Sequence, residues 1–248
     1  MLVGADPEAA IERFMHDVVD LTKDHVCAYK IQKAFFDLYP LGFTALKNTI
    51  RYINDKSPET CVIVDCKIGD TENTMRVYFE SLFNNLRADG IVLNPYMGFH
   101  PFSALRQYPG KAGVILVRTS NGGSEVVQEK RLANDQPFWR HILELVVEGW
   151  NTGNVLIPIV SSNSVSELAD MRRIIPDQMP VFLAGVGAQG GDIHCVPNLL
   201  DSAGRGVIIN SSRGILYPFD RSDPNWRTAI QKAVVDLKTS VNRLVDYD

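Results

Sequence analysis

Eight short apolar runs rich in β-branched residues alternate with longer amphipathic segments along the chain. That alternation restricts the fold more than any other feature. The runs are Leu2-Val-Gly, Cys27-Ala-Tyr, Cys61-Val-Ile-Val, Gly90-Ile-Val-Leu, Gly113-Val-Ile-Leu-Val, Val155-Leu-Ile-Pro-Ile-Val, Val181-Phe-Leu-Ala and Gly206-Val-Ile-Ile. A strand with one face in water alternates apolar and polar side chains, so unbroken runs point to parallel strands covered on both faces. Helical spacing occupies residues 9–22, 42–53, 74–86, 138–150, 165–174 and 224–245; Pro7 follows Asp6 at one helix start, and Ser164 and Asp223 are placed as N-caps. Eight strand–helix units in 248 residues predict an α/β fold, a (β/α)8 TIM barrel formed as a single domain over residues 1–248. An open doubly wound sheet is the alternative. No Ser/Gly-rich linker divides the chain, and the polar stretch 121–136 falls after the fifth run, at the rim where a barrel carries a lid.

Composition narrows the function classes. The 25 Lys+Arg residues against 29 Asp+Glu give a net charge of −4, without the clustered basic patch that nucleic acid requires. No apolar stretch approaches the ~18 residues of a membrane span, and no secretory leader is visible at the N-terminus, so membrane partners are not expected and the cytoplasm is. The four cysteines contain no CxxC pair and read as buried thiols in a reducing compartment. The five histidines show no HxH or HExxH spacing, so no catalytic metal is expected. There is no GxSxG elbow.

The densest chemistry lies in Val62-Ile-Val-Asp65-Cys66-Lys67-Ile-Gly-Asp70-Thr-Glu-Asn73-Thr74. Strand alternation turns Asp65 and Lys67 to one side at the end of the third strand, and Gly69 lets the chain turn so that Asp70 falls in the next loop. Two carboxylates around one ammonium favour a charged, held lysine. A structural ion pair closing the strand end is the plainer reading. Lys30 ends the neighbouring second strand and extends the pattern to Lys-Asp-Lys-Asp. Gly185-Val-Gly-Ala-Gln189-Gly-Gly191 follows the seventh strand and Asn210-Ser-Ser-Arg213-Gly214 the eighth. Loops at those places, with backbone N–H groups and an arginine, suit a phosphate, although glycines also serve simple turns. Asp6 and Ser120 face the same mouth, as candidate ligand contacts or as caps.

Together these segments resemble orotidine 5′-phosphate decarboxylase, in particular the longer-chain branch of that family. The resemblance runs from Val3-Gly-Ala-Asp6-Pro7 through the Asp65–Thr74 segment, Asn94-Pro-Tyr-Met-Gly98, Thr119-Ser-Asn121 and Gly187-Ala-Gln-Gly-Gly191 to Asn210-Ser-Ser-Arg213-Gly. The DxKxxD element alone also occurs in relatives such as hexulose-phosphate synthases. The resemblance implies a carbon–carbon lyase that converts orotidine 5′-monophosphate to UMP in de novo pyrimidine biosynthesis, with no metal or organic cofactor. It implies a charged tetrad of Lys30, Asp65, Lys67 and Asp70, with Lys67 giving its proton to C6. Asp6 and Thr74 then contact the ribose, Ser120 the pyrimidine, and Gln189 and Arg213 the phosphate. It further implies a homodimer in which Asp70 and Thr74 enter the partner's site. The chain departs from the family pattern at Ala184 and Ile31, where Pro is common, at His100, and at Val160-Ser-Ser-Asn163, which replaces a Gly-Ala-Thr-like strand end. Two other readings remain. One is a metal-dependent sugar-phosphate lyase or synthase of the same barrel group, which needs an acidic ligand where Lys30 stands. The other is a non-catalytic nucleotide-binding barrel.

Overall fold

Seven of the eight apolar runs form parallel strands whose order in the sheet is their order in the chain. The computed structural model describes residues 6–151, 153, 156–186, 191–220 and 222–245, so the first run, Leu2-Val-Gly, lies outside the described residues. The elements are α1 (Pro7–Thr22), β1 (Ala28–Gln32), α2 (Ala34–Asp37), α3 (Gly42–Lys56), β2 (Cys61–Ile68), α4 (Glu72–Phe79), β3 (Gly90–Leu93), β4 (Ala112–Leu116), α5 (Glu125–Gln128), α6 (Phe138–Glu144), β5 (Leu156–Ser161), α7 (Val165–Ile174), β6 (Val181–Ala184), β7 (Val207–Ile209), α8 (Arg213–Leu216) and α9 (Trp226–Leu244). A doubly wound sheet reverses its strand order at a switch point. No such reversal occurs between β1 and β7, and the arrangement is TIM-barrel-like.

Pleating divides the strands between two apolar layers. Val62 and Val64, Ile91 and Leu93, Ile115, Val160, and Val181 and Leu183 belong to the large core shared with the surrounding helices. The intervening Ile63, Val92, Val114, Ile159 and Phe182 form a separate inner cluster. Register carries this parity across the sheet, pairing Val92 with Val114, Ile159 with Phe182, and Phe182 with Ile208. With both faces removed from water, the runs are apolar throughout, and each fully buried side chain contributes roughly 1.5–3 kcal/mol.

The helices follow the predicted spacing, with instructive differences at their ends. Residues 165–174 match α7, but α4 and α6 change to π-helical turns over Glu80–Asn85 and Leu145–Trp150. After β3 and β6 the covering segments are 3-10 helices, His100–Gln107 and Ile193–Leu199, which contain Pro101 and Pro197. Proline lacks the N–H that an α-helical ladder needs. Asp6 caps α1 through the Glu8 N–H at 3.1 Å. Ser164 occupies the N-cap position of α7 without a side-chain cap bond. The cap of α9 is Asn225 rather than Asp223, whose carboxylate instead receives the Asn225 N–H at 2.8 Å. The cysteines also need correction. Cys195 is buried and burial pushes the Cys66 thiol up to about 11, but Cys27 and Cys61 are exposed, because they stand where β1 and β2 emerge at their N-terminal ends. Among the described residues, no helix is long and apolar enough to cross a membrane.

α1 docks on α3 through His16, which stacks on Tyr52 with ring centroids 3.8 Å apart. The buried Nε2 of His16 has no hydrogen-bond partner. His16→Phe keeps the stack and removes an unsatisfied nitrogen, so chemical denaturation is expected to show equal stability or a gain of about 1 kcal/mol. A loss of that size would mean that the imidazole makes a bond in solution.

Candidate active site

Register pairs Lys30 with Ile63 and Gln32 with Asp65, so β1 and β2 turn Lys30, Gln32 and Asp65 to the interior on the same parity as the inner apolar cluster. Lys67 arrives differently from the simple alternation expected. The pairing of β2 with β3 shifts between Val64 and Ile68, and Lys67 has φ +46°, a left-handed conformation uncommon outside glycine. Such outliers persist where the surrounding structure enforces them, often at functional sites. The irregularity brings Lys67 Nζ to 2.6 Å from Asp65 Oδ1, while Lys30 Nζ donates to Oδ2 at 2.8 Å. The Asp65 side chain is 6% exposed, that of Lys30 15% and that of Lys67 46%. Burial alone would push the Asp65 carboxyl up, but the ammonium of Lys30, assisted by Lys67, outweighs it and holds the acid below its ordinary value. Gly69 then passes so close to the next loop that a Cβ there would lie 2.4 Å from the Asn94 carbonyl oxygen.

This charged group forms one side of a cavity of about 220 Å3. Ile159 and Phe182 of the inner cluster also line it, as do Ser120 after β4, Gly185 after β6 and Arg213 at the start of α8. Lys30, Asp65, Lys67, Ser120 and Arg213 therefore meet in one place. Asp70, Thr74 and Asp6 do not line this cavity. Asp70 Oδ1 accepts the Thr71 N–H at 2.6 Å, Thr74 Oγ1 lies 3.2 Å from Thr71 Oγ1, and Asp6 serves as the cap of α1. Gln189 lies outside the described residues. Among the described residues, no three His, Cys, Asp or Glu side chains gather as metal ligands would.

Two residues of the site were not singled out from sequence. Gln32 lines the cavity, and its position two after Lys30 on β1 was the available signal. Arg118, buried two residues before Ser120, pairs with Glu167 of α7 at 3.1 Å and with Glu129. Gln128 of α5 accepts the Thr119 N–H at 2.9 Å and returns a bond to Thr119 Oγ1 at 3.0 Å. The expected lid region 121–136 thus contains α5 and is tied to the strand end that presents Ser120. Nothing in the local sequence around Arg118 announces partners 11 and 49 residues away.

Residues 1–221 match the model of the "Orotidine 5′-phosphate decarboxylase / HUMPS family". The chain belongs to this family. Among similar proteins, an orotidine 5′-phosphate decarboxylase of Cupriavidus metallidurans is 35% identical, across 98% of this chain and 92% of that protein. One from Bordetella pertussis is 33% identical, across 97% and 92%. Among solved structures, the OMP decarboxylase of Leishmania donovani superposes with a TM-score of 0.85 at 26% identity, covering 98% of this chain and 90% of that one. The UMP synthase of the same organism also gives 0.85 at 29% identity, and there the match covers 96% of this chain but only 51% of that one.

Asp65 is the member whose loss leaves both lysines without their shared partner. Asp65→Asn is expected to cost about 3 kcal/mol at pH 7, because removing one member of a buried pair strands the other charge. The sign follows from linkage: with its folded value depressed, Asp65 stabilises fully above the ordinary aspartate value of 3.8, and that stabilisation is lost as pH falls through the lower folded value. Urea denaturation should therefore show wild type and variant converging in acid. Equal stability at pH 7 would contradict the bridging role.

Proposed function

We propose that the chain is a carbon–carbon lyase that removes CO2 from orotidine 5′-monophosphate and releases UMP, a step of pyrimidine nucleotide biosynthesis. The observation that carries this reading is the Lys67 ammonium, held at 2.6 Å by Asp65 in a cavity that also contains Arg213. Arg213 and Gln189 are assigned to the phosphate, Ser120 to the pyrimidine, and the reacting carbon C6 to Lys67. As the bond to CO2 breaks, its electron pair remains on C6, where the ring offers little resonance relief. A cation fixed there in advance stabilises that charge without reorganisation. Lys67 then delivers a proton to C6, so substrate and one proton become UMP and CO2. Its side chain is the most exposed of the three, which lets water restore the proton. The chemistry as read needs no metal or organic cofactor, since the ammonium is both charge stabiliser and acid. Lys30 stands where a metal-dependent sugar-phosphate reaction would need an acidic ligand.

The remaining assignments belong to the same reading. Asp70 completes the charged tetrad and Thr74 contacts the ribose from the partner chain of a homodimer. Supporting this, both lie away from their own cavity, and the segments following β1, β2 and β3 expose Phe35, Leu38, Val77, Tyr96 and Met97, with Tyr96 86% exposed. Large apolar side chains left exposed after three successive strands are surface that a partner chain would cover. Residues 1–248 are read as one domain, a barrel that closes between β7 and β1, with Asp6 at the ribose. In favour of closure, a cavity of about 500 Å3 lies between those two edges, with walls from Ile31, Ile209, α1 and α9. The cytoplasm is the compartment that accompanies this role.

Lys67→Ala is expected to lower turnover at least about a thousandfold while UMP binds within a few-fold of wild type, the signature of an interaction used in the transition state. Arg213→Ala is expected to weaken UMP about tenfold or more and leave uridine unchanged, as loss of a charge-assisted bond to phosphate requires. Turnover surviving in the first variant, or equal loss for uridine in the second, would contradict the assignments.

A further inference from the structure

Ser162, just beyond β5, has a hydroxyl that is buried without a hydrogen-bond partner in a residue only 1% exposed. Its backbone is fixed, since its N–H donates to the Ala184 carbonyl at 2.9 Å. Two glycines open toward its side chain. A Cβ built on Gly185 would lie 2.9 Å from Ser162 Oγ, and one built on Gly191 would lie 1.8 Å away. The same two glycines close on each other: the Gly191 N–H donates to the Gly185 carbonyl at 3.2 Å, and Val186 forms a bridge with Gly191. Gly185 has φ +93°, and a Cβ there would also lie 3.2 Å from the Cβ of Ser120. The hydroxyl of Ser162 therefore stands against Gly185 and Gly191, which flank in the sequence the Gln189 assigned to the phosphate, and beside the backbone that also meets the residue assigned to the pyrimidine.

An unpaired buried hydroxyl carries a desolvation cost that a serine on the surface does not. That cost vanishes where a partner arrives on binding. We propose that Ser162 is a positioning residue for the nucleotide phosphate, its hydroxyl taking a backbone partner from Gly185 or Gly191 when the phosphate is engaged. The proposal rests on the decarboxylase reading for the identity of the ligand. Ser162 does not itself line the cavity, so it acts through the backbone of the glycines, one of which does. Its effect falls on ligands that carry the phosphate, and it reaches neither Lys67 nor the proton transfer.

Ser162→Ala removes one oxygen and no existing bond, so the variant should fold. In the unliganded protein its thermal midpoint is expected to equal or exceed that of wild type. The KM for orotidine 5′-monophosphate and the Kd for UMP should both rise about 3–10-fold, the worth of one hydrogen bond, with kcat within about twofold. Uridine should bind both proteins alike. Unchanged UMP affinity would overturn the proposal by showing that the hydroxyl remains idle when the phosphate is bound. Equal weakening of uridine would overturn it by placing the effect at the ring. A wild type that binds UMP without turning over orotidine 5′-monophosphate would instead strike at the decarboxylase reading, and the comparison of UMP with uridine would still decide the role of Ser162.

Discussion

Asp65 holds two ammonium groups on one carboxylate, Lys30 at 2.8 Å and Lys67 at 2.6 Å, in a side chain almost sealed from water. The arrangement is favourable only as a set. A carboxylate buried alone would take up a proton, and two lysines facing one interior would repel each other and lose charge. Three features of the chain converge to make the set possible: the register that pairs Gln32 with Asp65, the bulged end of β2, and the left-handed turn at Lys67. The bonds of Asp65 offset the strain of that turn. They also hold the Lys67 Nζ in a fixed direction, which is what charge development on a neighbouring carbon demands.

The two apolar layers explain why this charged group is held so firmly. Below it, Ile63, Val92, Val114, Ile159 and Phe182 fill the inside of the sheet, and Ile159 and Phe182 double as lining of the cavity. Rigid strands deliver the charged residues, while the segments beyond the strand ends bring the contacts that select a ligand. These segments brace one another. Gly69 passes the Asn94 carbonyl where no side chain fits, Arg118 and Gln128 tie α5 to the residues around Ser120, and Gly185 meets both Ser120 and Ser162. A site built in this way transmits a change in one loop to the next through contact.

Much of this was legible in the sequence, for identifiable reasons. Unbroken β-branched runs mark strands buried on both faces, and seven of them were located because burial is periodic and local. Lys30 and Asp65 were found because they lie on strands whose parity can be counted, although the strands run past both of them to Gln32 and Ile68. The bulge that delivers Lys67 was not legible, since alternation gives the same side by a different route. Nor were the partners of Arg118, which come from α5, the segment after it and α7, or the orphaned hydroxyl of Ser162, which depends on how β5 meets a glycine pair beyond β6. The exposure of Cys27 and Cys61 escaped because an apolar run does not reveal where its strand leaves the core. Asp70 and Thr74 lie in the motif yet away from the cavity, because proximity in sequence to Lys67 does not fix the direction of the following loop.

The central claim is that a lysine held by a shared carboxylate decarboxylates a pyrimidine nucleotide unaided. The most direct measurement follows the ultraviolet absorbance of orotidine 5′-monophosphate mixed with the purified protein after EDTA treatment. The account predicts a fall in absorbance as UMP forms, with no need for added divalent metal. Tight UMP binding without any fall, or activity that returns only with metal, would contradict it.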